Sequence, residues 1–299
     1  MNRVFVLGSI NIDISMETDG FPVIGETMLG GSVDYYMGGK GGNQAVAAAR
    51  IGGRVSLTAS VGGDTFGEKA LEHLRAEGVD TRFVTVKDGA FTGIASIFRI
   101  HSDNAIIVFP GANMLLSETA ELVEAFNDKD LFVAQLEVPL ETIRQGLYYA
   151  KKTNVQTIID PAPFHADIVN MLDKIDIITP NETEFEGLIG HTLKEQDMEE
   201  AMLEWAENHD TQLIVTRGSQ GVSYVFDGEV RTISAVKDIE VLDTTGAGDT
   251  FTGTLAAFLA EGMPYETAIE TANICAALST TKIGAQTGMP TRAELRHFK

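Results

Sequence analysis

Two glycine-rich segments hold the residue types best suited to chemistry. One of them, Asp243-Thr-Thr245-Gly246-Ala247-Gly248-Asp249-Thr-Phe-Thr-Gly-Thr, leads into the helical stretch LAAFLAEG. Small residues opening a helix aim several unpaired N–H groups at one spot, which makes an anion site. A carboxylate just behind that site would repel a bound phosphate unless it has a different task. Accepting the proton of a hydroxyl that attacks phosphorus is such a task, and it requires the carboxylate beside the transferring group. The positive end of a helix is a favourable place for that charge. The alternative reading makes Asp249 a helix cap and nothing more.

The other segment, Met37-Gly38-Gly39-Lys40-Gly41-Gly42-Asn43-Gln44, precedes the run AVAAARIGG. Without side chains to shield them, the amides of Gly39 and Gly41 are open to a small polar ligand, and Lys40 and Asn43 supply directional donors. A helix is expected to begin near Asn43, adding the positive end of its dipole; the competing reading is a flexible turn before a helix that Asn43 caps. Thr179-Pro-Asn181-Glu-Thr-Glu184 follows the run IDIIT. On a helix Asn181 and Glu184 share one face, where amide and carboxylate oxygens suit a water-bearing Mg²⁺ that bridges to phosphates. The same spacing is also a capping box. Thr216-Arg-Gly218-Ser-Gln-Gly221, after QLIVT, either wraps a nucleotide with backbone groups or turns a hairpin into VSYVF. No P-loop pattern occurs.

The elements that position these residues follow from periodicity. Apolar runs at 4–10, 54–61, 131–136, 155–160, 175–179 and 212–216 read as strands buried on both faces, and amphipathic segments at 66–78, 141–152 and 198–209 read as helices. The alternation implies an α/β fold: a mostly parallel sheet with helices on both sides. Segments 12–37 and 92–109 instead are β-rich, the second a hairpin turning at HSDN (101–104). Together they are expected to build a small β-sheet lid over the crevice at the carboxyl ends of the strands, the alternative being an edge decoration. The 299 residues then form a single α/β domain with this appendage.

Composition excludes several classes. With 43 acidic and 22 basic residues the formal charge is −21, which argues against nucleic acid or an anionic membrane as partner. A single cysteine, Cys275, allows no intrachain disulfide and fits a reducing compartment. No apolar run approaches the ~20 residues of a membrane span, so a cytoplasmic location is expected. Cys275 and Trp205 are read as core residues, and no histidine, His101 included, has metal-ligand spacing.

Taken in order, Asn11-x-Asp13, GGKGGNQA (38–45), QLE (135–137), PNETE (180–184), TRGSQG (216–221), DTTGAGDTF (243–251) and the GAQ near 285 resemble the ribokinase-like branch of the PfkB carbohydrate kinase family across essentially the whole chain. The resemblance implies a three-layer α/β/α ribokinase-like fold with a β-sheet lid. It implies an ATP-dependent kinase acting on the primary hydroxyl of D-ribose, with Asp249 as base and Gly246, Ala247 and Gly248 as anion hole. Sugar contacts would match Asn11, Asp13, Gly39, Lys40, Asn43 and Glu137. Asn181 and Glu184 would organise magnesium and phosphates, and Thr216, Gly218, Gly221 and Asn273 would meet the nucleotide. A potassium-like cation would sit at Asp243, Thr245, Ser279, Lys282 and Gly284, and a homodimer through the lids is expected. Two positions depart from the family's pattern: Gly42 stands where Ala is common, and Gly288 where a serine often serves the cation. The rival readings are a kinase for fructose, deoxyribose or adenosine, and a sugar sensor without catalysis, which would need none of Asp249, the anion-hole glycines or the Asn181/Glu184 pair.

Overall fold

The computed structural model describes residues 2–100, 103–117 and 125–298. The first apolar run becomes β1 (Arg3–Leu7), which lies parallel to both β4 (Arg54–Gly62) and β8 (Leu131–Ala134). From there the sheet grows outward in two directions. On one side stands β5 (Asp80–Lys87); on the other β9 (Gln156–Ile159), β10 (Ile177–Ile178) and β11 (Gln212–Thr216), all parallel. An antiparallel hairpin, β12 (Val222–Phe226) and β13 (Glu229–Ile233), completes nine strands among the described residues. The order reverses between β1 and β8, and a parallel sheet opens its ligand crevice beyond the carboxyl ends at such a switch point.

Alternation along β1 shows how the layers form. Val4 and Val6 join a core shared with α1 (Lys40–Arg50), α2 (Thr65–Ala76), α6 (Ala247–Ala260) and α7 (Tyr265–Ser279). Phe5 and Leu7 point into the opposite core, with α3 (Leu140–Lys152), α4 (Glu182–Ile189) and α5 (Met198–Asn208). A last helix, α8 (Arg292–Phe298), adds Leu295 to the first core. Trp205 is buried against Phe185 and Cys275 is buried in α7, as expected of core residues.

The two β-rich excursions pair with each other. β2 (Asn11–Thr18) is antiparallel to β3 (Val33–Gly38) and parallel to β6 (Gly93–Ile100), and β6 is antiparallel to β7 (Asp103–Phe109). Residues 101–102 of the expected hairpin turn, with His101, lie outside the described residues.

Some boundaries differ from expectation. The strands at 4–10, 131–136, 155–160 and 175–179 stop early, so that Ser9, Gln135, Glu137, Asp160 and Thr179 fall just beyond a strand end. Strand β5 is absent from the apolar-run reading because it is an edge strand whose residues are mostly part-exposed. No described helix is long and apolar enough to cross a membrane.

Candidate active site

The crevice is closed by the amino ends of α1 and α6. Helix α1 begins at Lys40, with Gly39 as N-cap, three residues earlier than the expected start near Asn43. The cause is local: Gly39 has φ of 81°, and a Cβ there would lie 2.6 Å from the Asn11 nitrogen, so the chain turns at this glycine and is helical at once. Asn43 is therefore not a cap. It sits one turn inside, where its amide Nδ2 donates to Asp249 Oδ2 at 2.8 Å. Helix α6 likewise starts after Gly246, with φ of 78°, which puts Asp249 at the third helical position without a cap hydrogen bond. The cap reading of Asp249 fails for the same reason: its oxygens are turned toward α1.

Close helix packing makes that contact possible. A Cβ on Gly253, one turn beyond Asp249, would stand 2.3 Å from the Gln44 carbonyl, so α6 and α1 approach nearly backbone to backbone. Gln44 Nε2 then reaches Asp249 Oδ1 at 3.2 Å and Asp160 Oδ2 at 2.8 Å, while Gln135 Nε2 donates to Gln44 Oε1 at 2.6 Å. Lys40 Nζ stands 3.7 Å from Asp249 and 3.8 Å from Asp160. Glu137 Oε2 accepts from the Ser9 hydroxyl and from the Lys40 amide. Asn11 Oδ1 accepts from Asn113, whose own side chain also binds both backbone groups of Ile10. Asp13 packs beneath Gly38, where a Cβ would meet its carboxylate at 2.2 Å. All seven expected sugar-contact and base residues, Asn11, Asp13, Gly39, Lys40, Asn43, Glu137 and Asp249, thus lie along this crevice.

Asp13, Glu137, Asp160 and Asp249 crowd the crevice, the last three of them acting on the single ammonium of Lys40, and the charges register it. Burial, then Glu137 and Asp249, push the Asp13 carboxyl up to about 7. Burial raises Asp160 well above the usual carboxylate range, with Lys40 opposing and Asp249 adding to the rise. Lys40 moves upward: burial would lower it, but Asp249, Asp160 and Glu137 more than offset that. A lattice of acceptors with one fixed cation suits an uncharged polyhydroxyl ligand, whose hydroxyls can donate, and repels an anion.

The residues expected to meet the nucleotide and magnesium lie in a second group around the ends of β11 and α4. Thr216 ends β11 and bridges to Asn181, its amide donating to Pro180. Asn181 and Glu184 form the capping box of α4: Glu184 N donates to Asn181 Oδ1 and Asn181 N to Glu184 Oε2, each at 2.8 Å. The box occupies one Glu184 oxygen with a single donor, and lone pairs remain for water carried by magnesium; among the described residues no cluster of three or more His, Cys, Asp or Glu could hold a metal directly. Residues 218–220 make a turn of 3₁₀ helix into β12, so TRGSQG is the hairpin connection. Gly218 is exposed in it, and Gly221 packs on the backbone of 233–235, where Asn273 Nδ2 donates to the Ser234 carbonyl.

A third group joins two loops. Asp243 Oδ1 accepts from Thr245 N at 2.9 Å and Oδ2 from Gly284 N at 2.8 Å. Burial would raise this carboxyl, but Thr245 and the Gly284 amide hold it below its ordinary value. Ser279 is buried and Lys282 is exposed in the turn that leads to Gly284. Oxygen donors of this kind fit a hard monovalent cation. A Cβ at Gly288 would lie 1.9 Å from the Ser279 carbonyl, so glycine here is dictated by packing, whereas at Gly42 a Cβ meets nothing closer than 3.8 Å.

Asp160 and Asn113 are site residues outside every motif of the sequence reading, and Gln44, Gln135 and Gln286 stand inside its motifs without a role assigned to them. Position just after a strand end marks Asp160 and Gln135, the GAQ motif marks Gln286, and nothing local marks Asn113. A cavity of about 300 Å³ lies elsewhere, at the amino edge of β11 beside Leu203, His209 and Asp227, and none of the expected residues lines it.

Fold and site together define a group-transfer enzyme, with a buried helix-borne carboxylate bordered by a polar crevice and by the glycine-rich amino end of α6. The pattern of the pfkB family carbohydrate kinases matches residues 1–292, and the chain belongs to that family. The chain is 39% identical to the ribokinase of Lactococcus lactis subsp. lactis, covering 99% of this chain and 96% of that one. It is 37% identical to the ribokinase of Bacillus subtilis, covering 100% and 99%. The structure of Arabidopsis thaliana ribokinase complexed with ribose and ATP superposes with a TM-score of 0.90 at 30% identity, over 99% of this chain and 98% of that one.

Proposed function

We propose that the protein phosphorylates the primary hydroxyl of D-ribose with ATP, giving D-ribose 5-phosphate and ADP. The observation that carries the reading is Asp249, buried at the mouth of α6 and held by Asn43, Gln44 and Lys40 of α1 beside the Gly246–Gly248 amides. Ribose would lie among Asn11, Asp13, Gly39, Lys40, Asn43 and Glu137, an acceptor-rich shell that a neutral sugar satisfies and that penalises any analogue leaving a buried partner unpaired. Asp249 takes the hydroxyl proton as the sugar oxygen bonds to the γ-phosphorus, and the bond from that phosphorus to the bridging oxygen breaks to leave ADP. Amides at 246–248 hold the charge that gathers on the transferring group, and Lys40 holds the base in place. The new sugar phosphate is an anion in a carboxylate-lined crevice, which favours its departure.

On the donor side, Thr216, Gly218, Gly221 and Asn273 would border the nucleotide. Magnesium, held through water by Glu184 with Asn181 beside it, supplies charge neutralisation on the phosphates when bound. A potassium-like cation at Asp243, Thr245, Ser279, Lys282 and Gly284 would steady the loop that precedes the anion hole. The small β2–β3–β6–β7 sheet acts as a lid that excludes water. Its exposed apolar side chains, among them Val33, Tyr35, Ile106 and Ile107, fit a homodimer in which two such sheets cover each other, in a cytoplasmic enzyme. A panel of ribose, deoxyribose, fructose and adenosine with ATP, followed by ADP release, tests the assignment: ribose should give the highest kcat/KM. A different preferred acceptor would replace ribose, and acceptor binding without ADP release would replace the kinase by a sensor.

A further inference from the structure

The carboxylate of Asp249 ends a chain of donors that starts far from any substrate. Because the carboxylate accepts, the Asn43 group facing it at 2.8 Å must be Nδ2, so Asn43 Oδ1 points the other way. There it accepts from Gln286 Nε2 at 2.9 Å, which turns Gln286 Oε1 toward His73 Nε2 at 2.7 Å. His73 must then carry its proton on Nε2. Each orientation is forced by the one before, and every hydrogen bond in the row donates toward Asp249. Gln286 is 5% exposed and its backbone is fixed independently: its carbonyl accepts from Arg50 Nη1, which also binds the Met289 carbonyl.

We propose that Gln286 is a positioning residue for the transfer reaction, the link through which His73 on α2 sets the orientation of the Asn43 amide and thereby the placement of Asp249. The inference rests on the reading of Asp249 as the base. Without the Gln286 donor, Asn43 Oδ1 is left buried without that partner and the amide is held only by the carboxylate it is meant to place; an Asn43 side chain that shifts to regain a partner for Oδ1 carries Asp249 with it. Displacements of this kind cost up to about 100-fold in rate. The charged groups nearest the outer end are Arg50 and Glu77, paired at 2.6 Å beside His73; at the inner end stand Lys40 and Asp160.

Three variants in the full-length protein test this, each checked for folding by thermal unfolding. Gln286→Met, of similar length but without a donor, should lower kcat by roughly 10- to 100-fold and raise KM for the sugar, leaving KM for ATP within about twofold. Gln286→Glu should be at least as impaired near neutral pH, and should recover activity relative to wild type as pH falls and a protonated Glu again donates to Asn43. His73→Phe should share the sign with a smaller loss, and it keeps the question open to test should both Gln286 variants fail to fold. Wild-type kcat and an unaltered pH profile in the folded variants would overturn the inference while leaving the base assignment intact. An Asp249→Asn control that retained turnover would instead overturn the base assignment itself.

Discussion

The acceptor and donor halves of the site are built from opposite materials. On the acceptor side, Asn11, Asp13, Asn43, Asp160 and Asp249 are each less than a tenth exposed and interlocked through side chains. On the donor side Asn181 and Gly218 are exposed and Glu184 and Thr216 part-exposed, and their bonds are mostly backbone or capping interactions. The boundary passes between Gly248, exposed, and Asp249, buried. A side-chain lattice discriminates among hydroxyl patterns, because each unsatisfied partner costs about 1–3 kcal/mol. Backbone amides at a helix mouth recognise phosphate charge and little else. Under the proposed assignment, a chain of charge −21 would serve a polyanion by keeping the crowded carboxylates on the side of the neutral sugar and offering N–H groups to the phosphate.

The sharpest way to break the comparison is Asp249→Asn. If the boundary residue is the base, turnover falls by roughly 10²–10⁴ while both substrates still bind, measured by steady-state kinetics and calorimetry. Near-wild-type turnover would remove it.

Next in size is a difference of sign in pH-dependent stability. Asp13 loses its proton near 7 in the fold and near 3.8 in the unfolded chain. Between those values the folded state binds more protons, so its stability declines as pH rises through that window, by an upper limit of about 4 kcal/mol, and levels off above it. Asp243 on the donor side has a lowered value, so its contribution is complete above the unfolded value and is lost as the solution becomes more acidic. Urea unfolding of the ligand-free protein from pH 4 to 8 should show a flatter decline for Asp13→Asn than for wild type; identical slopes would mean that the carboxylates are not crowded as described.

A severalfold effect is expected from the cation. With ionic strength fixed, potassium should support faster ADP release than sodium, and equal rates would leave the Asp243–Gly284 junction as a purely structural clasp. The smallest effect belongs to Gly42→Ala. Open space for a Cβ inside α1 predicts unchanged kinetics and a gain of up to about 1 kcal/mol from helix propensity, read by thermal unfolding.

How much of this was legible depended on whether the signal was local. Glycine clusters point to Lys40, Asn43 and Asp249, because turn chemistry is encoded within a few positions, whereas Glu137 is marked only by the family resemblance. Local signals place the helix start near Asn43 and not after Gly39, since only the approach of the Asn11 backbone explains why the chain must turn there. IDIIT had the composition of a five-residue strand, yet only Ile177 and Ile178 pair, the chain leaving the sheet to form the α4 cap. Gln286 and Asn113 reach Asn43 and Asn11 across 243 and 102 positions, separations at which spacing carries no information.

The row Gly38–Asn11–Gly93 runs across three strands at the base of the small sheet, with Asn11 between two glycines. If the proposed lid tilts, this row at its base, with Asn11 at the crevice, is where it would pivot, as a lever pivots on its fulcrum. Changes at the far end, near Thr18 and Ile100, alter the length of the arm without altering the pivot. Under the proposed assignment, the outer end of the small sheet could be shortened or re-faced without touching the row that borders the crevice, so that a changed projecting face need not change what the crevice recognises.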